Sequence, residues 1–140
     1  MEQQILANAE LVRTVAREQL AIAVGFDEAG VRWLDRYIDG QRIGANESTK
    51  EKLPNTLGSY LGECIRQSFG GTWIEDKEYG WAVRINQQVT VFPFSKVRKQ
   101  LSSNAEGESV LGLYTSIPAL LEEQITTASP SNKRSWWKLW

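Results

Sequence analysis

Residues able to do chemistry are few in this 140-residue chain. It has no histidine, which removes the commonest general base and a common metal ligand. Its one cysteine, Cys64, falls in the centre of an apolar helical face, where a thiol packs rather than attacks. No glycine-rich phosphate loop, zinc-ligand spacing or serine–histidine–aspartate set occurs. Carboxylates remain. Asp35 and Asp39 stand four apart on one predicted helix, and Glu75, Asp76 and Glu78 crowd a turn around Lys77. Convergent acids can divide proton-transfer roles, but clusters of this kind are also common on surfaces. A solvated helix edge accounts for the first pair and ordinary hairpin chemistry for the second. The expectation is a non-catalytic module with no cofactor and no metal. A carboxylate-based enzyme of unknown substrate is the alternative.

Binding chemistry has three candidate locations. Glu63 follows Gly62 on a helix and lies off its apolar stripe. It could anchor a groove bordered by a sheet, with Trp73, Trp81 and Phe94 as lining residues. The plainer account is a surface pair with Arg66 or Gln67 at helical spacing. Phe92-Pro93-Phe94 precedes Lys96, Arg98 and Lys99, and aromatics beside cations can stack nucleobases. The formal net charge of −1 works against a nucleic-acid binder, which needs a basic field, so a core-plus-solvated-face reading is preferred.

The third location is the C-terminus. Three of six tryptophans, Trp136, Trp137 and Trp140, lie among the last five residues beside Lys133, Arg134, Lys138 and Leu139. Residues 126–140 carry three basic side chains and no acid, which leaves −4 on the preceding 125. So much indole usually marks a contact surface. A helical tail places Trp136, Trp137, Leu139 and Trp140 on one side and Lys138 opposite; an extended tail puts Lys138 with Trp136 and Trp140. Indoles and cations suit an anionic membrane interface, with a protein partner, self-packing or a homodimer as the other occupants.

Elements that position these residues follow from periodicity. Ile5, Ala9, Val12, Ala16, Leu20 and Ala23 form a helical stripe over residues 2–23. Asp27 caps a second helix to about Ile38, and the polar stretch from Gly40 to Lys52 reads as a loop. Leu53-Pro54 starts a third helix, since proline suits a first turn, and Gly70-Gly71 stops it. Gly58 and Gly62 inside it imply close approach of a neighbouring backbone. Thr72–Glu75, Trp81–Ile85 and Val89–Phe92 are strand-like, with Trp81, Val83 and Ile85 buried and Ala82 and Arg84 on a wetter face. Ser95–Leu101 and residues 109–125 are helical, Pro118 kinking or restarting the latter. The fold expected is α+β: a three-stranded antiparallel β-meander packed against helices from the N- and C-terminal parts. One domain is expected over residues 1–125, a polar linker over 126–133 and a basic tryptophan-rich tail over 134–140.

At Leu57-Gly-Ser-Tyr-Leu-Gly-Glu-Cys-Ile65, Gly70-Gly-Thr-Trp73 and Val91-Phe-Pro-Phe-Ser-Lys-Val97, the chain resembles small uncharacterised bacterial proteins, cyanobacterial ones by expectation. The resemblance covers about residues 53–121, implies a bacterial cytoplasmic protein and brings no catalytic residues. The tail lies outside it. The first residues hold no basic-then-apolar signal pattern and no apolar run reaches membrane-span length, so a cytoplasmic, soluble protein is expected, with membrane association through the tail.

Overall fold

A computed structural model of the chain describes residues 1–103 and 109–126. In order, the elements are α1 (Glu2–Leu20), α2 (Glu28–Gly44), α3 (Glu47–Phe69), β1 (Thr72–Asp76), β2 (Gly80–Arg84), β3 (Thr90–Val91), α4 (Pro93–Ser102) and α5 (Val110–Thr126). The strands form one antiparallel sheet in the order β1-β2-β3, packed against helices, so the fold is α+β.

Buried Ile5, Ala9, Val12 and Ala16 hold α1 against α3. The helix stops at Leu20, three residues earlier than its apolar stripe suggests. Ala21 turns left-handed (φ 57°), and the Ile22 amide donates to the Ala16 carbonyl at 3.0 Å, satisfying an end that could not otherwise pair. Asp27 caps α2 as expected, its side chain accepting from the Gly30 amide at 2.9 Å. Val31, Leu34 and Ile38 are fully buried along that helix.

No loop spans Gly40 to Lys52. There α2 continues to Gly44, and α3 begins at Glu47. Polarity was a misleading guide, because solvated helix turns are polar too. Asn46 caps α3 through the Thr49 amide at 2.8 Å, and Glu47 in the first turn opposes the helix dipole. Pro54 therefore lies well inside α3 rather than at its start. Likewise Pro118 sits inside an α5 that runs from Val110 to Thr126.

The register pairs Trp73 with Val83 and Val83 with Val91. Both turns close in the same way. Asp76 Oδ1 accepts from the Glu78 and Tyr79 amides, and Asn86 Oδ1 from those of Gln88 and Val89, each at 2.8–2.9 Å. The third strand shrinks to two residues because Pro93 already opens α4, as a first-turn proline. Ala82 is fully buried although it lies on the face opposite Val83, so the wetter face expected for β2 holds only at Arg84. Side chains from all five helices and from the sheet contribute to one apolar core.

Candidate functional site

The helix that carries Glu63 has a smooth edge. An added Cβ on Gly58 would lie 2.4 Å from the Phe94 ring and 3.0 Å from the Phe94 Cα. One on Gly62 would lie 2.0 Å from the Trp73 indole and 3.2 Å from Pro93 Cγ. Both glycines thus mark close approach, but what approaches is chiefly aromatic side chain. Trp73 and Phe94 sit with ring centroids 5.9 Å apart over this edge.

Glu63 is buried beside them. Its Oε2 accepts from Trp73 Nε1 and Arg66 Nε, both at 2.8 Å; its Oε1 accepts from Arg66 Nη2 at 2.9 Å and Gln67 Nε2 at 3.2 Å. Burial alone would raise its pKa, but the hydrogen bonds from Arg66, Trp73 and Gln67 outweigh that, and the carboxyl titrates below the usual range. Glu63, Trp73 and Phe94 are therefore together. Trp81 is not with them: it pairs with Glu75 at the far end of β2 and is half-buried. An ionised carboxylate with both oxygens engaged makes a poor proton donor; it fastens β1 to α3.

Asp35 and Asp39 are tied down as well. Gln100, buried on α4, donates from Nε2 to Asp35 Oδ1 at 3.2 Å and to Asp39 Oδ1 at 3.0 Å, while its Oε1 accepts from the Val110 amide at 2.8 Å. Asp35 Oδ1 also accepts from the Leu111 amide, so a carboxylate caps the N-terminus of α5. Arg42 reaches Asp39 at 2.6 Å and the Gln100 carbonyl at 3.2 Å. Desolvation opposes ionisation of Asp39, but the Gln100 amide and Arg42 prevail and hold its pKa low. Gln100 is a site residue that motif and charge spacing do not single out. Its signal was its place on the Val97, Gln100, Leu101 stripe of α4.

Burial pushes the Cys64 thiol up to about 12, and raises Tyr60, whose hydroxyl donates to the Gly25 carbonyl. The Phe92–Lys99 run divides. Phe92 is buried against Tyr79 and Lys96 is fully buried, leaving Arg98 and Lys99 exposed. Phe94 is half-buried and packs against Trp73.

Concavities among the described residues include two on the helices. One of about 160 Å³ is apolar, lined by Leu11 and Val15 of α1, Trp33 and Tyr37 of α2, and Leu53 and Leu57 of α3. A more open one of about 360 Å³ lies between α3 and α4, with Glu47, Glu51, Lys50 and Arg98 around Pro54 and Leu101. No helix among the described residues is long and apolar enough to cross a membrane. The contact residues expected in the tail, Lys133 to Trp140, lie outside the described residues, as do residues 104–108 and all but the first residue of the linker expected over 126–133. Comparisons with protein-family models, curated proteins and solved structures found no match.

Proposed function

We propose that this protein is a non-catalytic interaction module whose basic, tryptophan-rich C-terminus makes reversible contact with an anionic membrane surface. The observation that carries this reading is the composition of residues 133–140: three indoles and a leucine with three cations and no acid, attached to a body of net charge −4. Each cation contributes about 1 kcal/mol near an anionic leaflet, giving about 3 kcal/mol in total before the indoles are counted. That is reversible binding, and a second signal strengthens it by avidity.

A protein partner is the second reading, and one observation favours it. Leu11, at the rim of the apolar concavity on α1, α2 and α3, is 49% exposed, as an anchor site for an apolar side chain would be. Of the acids named for the catalytic alternative, Asp35, Asp39 and Asp76 serve as hydrogen-bond acceptors for the fold, which supports the non-catalytic reading. Vesicle sedimentation separates the two readings. Full-length protein should pellet with anionic vesicles and not with neutral ones, and the Trp136→Ala, Trp137→Ala, Trp140→Ala variant should stay in solution while remaining folded. Equal pelleting of the two proteins, or none by either, rejects the membrane reading.

A further inference from the structure

Among the described residues the sheet has an open side. Among the described elements β1 pairs with β2 alone, so one row of its backbone N–H and C=O groups has no strand partner. Exposed strand edges are commonly blunted by proline, a bulge or charged side chains; Thr72-Trp-Ile-Glu-Asp76 has no proline, and its charges are two acids, which disfavour another acidic edge and favour a basic one. Thr72 and Glu75 are exposed there, and Ile74 is half-buried. At the opposite side β3 is only two residues long, too short to template a strand.

We propose that the outer edge of β1 is a docking site for the chain's own C-terminal segment, residues 133–140, which adds to the sheet in extended form. Charge favours this occupant. The edge and its turn carry Glu75, Asp76 and Glu78 against Lys77 alone, while the segment carries Lys133, Arg134 and Lys138 with no acid. Position favours it too. Tyr114 of α5 sits against the end of α3, its hydroxyl 2.7 Å from Ser68 Oγ and its ring 5.1 Å from that of Phe69. From that same end Gly70-Gly71 leads straight into β1. Fourteen residues follow Thr126 and reach up to about 46 Å when extended, so the segment can return to this edge.

The side-chain pattern matches as well. An extended segment places Trp136, Lys138 and Trp140 on one face, and β1 places Thr72, Ile74 and Asp76 on one face. Aligned, these give an indole beside Ile74 and an ammonium beside Asp76, both favourable neighbours across a strand pair. Main-chain hydrogen bonds supply the attachment and the alternating side chains its register.

Docking without lipid and contact with a membrane are alternative states of the same residues, and their readouts are separate. The full-length chain carrying Thr72→p-benzoylphenylalanine is irradiated without lipid, and the cross-linked peptide is identified by mass. Attachment within residues 133–140 in a product of monomer mass is the expected result. A product of dimer mass, or no cross-link to the tail, overturns the proposal. Amide exchange gives the second measurement on a chain with no probe at β1. The Lys133→Glu, Arg134→Glu, Lys138→Glu variant should exchange the outward amides of β1 at least tenfold faster than the parent, with Val83 in the central strand unchanged. Equal β1 rates in the two proteins overturn the proposal whatever the vesicle result.

Discussion

Replacing Glu63 by alanine should destabilise the protein more than the loss of any other acidic residue among those described. The side chain is 3% exposed, so its partners cannot all be rescued by water. Trp73 Nε1 would be left as a buried donor with no acceptor, which costs about 1–3 kcal/mol. Arg66 is 36% exposed and can turn to solvent, so its share is held to at most about 1 kcal/mol. Gln67 is exposed and adds nothing. The total is about 1–4 kcal/mol, or roughly 3–13 °C in Tm for a chain of this length. Urea denaturation followed by circular dichroism, at constant slope, measures it. Trp73→Phe in the Glu63→Ala background removes the orphaned donor, so the two changes should couple by about 1–2 kcal/mol. The pH dependence has a fixed sign. Because the folded pKa of Glu63 is depressed, its contribution is complete above the unfolded value of about 4.3 and is lost as pH falls through the folded pKa. Glu63→Gln should flatten that acid limb. A Glu63→Ala protein within about 0.5 kcal/mol of the parent, with no coupling to Trp73, would refute the reasoning.

Glycine positions on α2 give opposed expectations. Gly30→Ala should cost at least about 2 kcal/mol, because its Cβ would sit 2.0 Å from the Tyr60 hydroxyl and 2.7 Å from the Gly25 carbonyl; Gly40→Ala, with nothing within 4 Å, should stabilise by up to about 1 kcal/mol in the same denaturation assay. Ala21→Gly should stabilise by about 1 kcal/mol, since φ is 57° there, and an unchanged midpoint would count against a left-handed cap. Cys64 should resist iodoacetamide in the folded protein at pH 8 and react on unfolding, because the thiol is buried and titrates at about 12. Modification of native protein at the rate of a free thiol would show that the α3 face opens.

Which parts were legible from the residues has a physical reason in each case. The meander was visible because strand period and turn chemistry coincide at Asp76 and Asn86, whose side chains close the turns. Close approach at Gly58 and Gly62 was visible because glycine inside a helix needs an explanation; that Trp73 and Phe94 supply it depends on how β1 and α4 fold back over α3, which no local pattern encodes. The end of α2 and start of α3 were missed since neither the 40–44 nor the 47–52 turns present an apolar stripe, yet Asn46 with Thr49 three residues on was a readable cap. Gln100 and Lys96 were missed because polar residues are mostly exposed, and only the α4 face they share with Val97 marks them as buried. Of the candidate groove residues, Glu63, Trp73 and Phe94 meet, and Trp81 is displaced along the sheet because its register partner is Glu75.

Membrane contact through the C-terminus is the central functional claim, and an affinity titration against vesicles at several salt concentrations tests it most directly. Binding of the full-length chain should rise with the fraction of anionic lipid and weaken severalfold between 0.1 M and 1 M salt, as the screening length falls from about 10 Å to about 3 Å. The Lys133→Glu, Arg134→Glu, Lys138→Glu variant should lose about 3 kcal/mol or more of that binding, about a hundredfold in affinity. Affinity independent of lipid charge, or an unchanged affinity in that variant, would contradict the account.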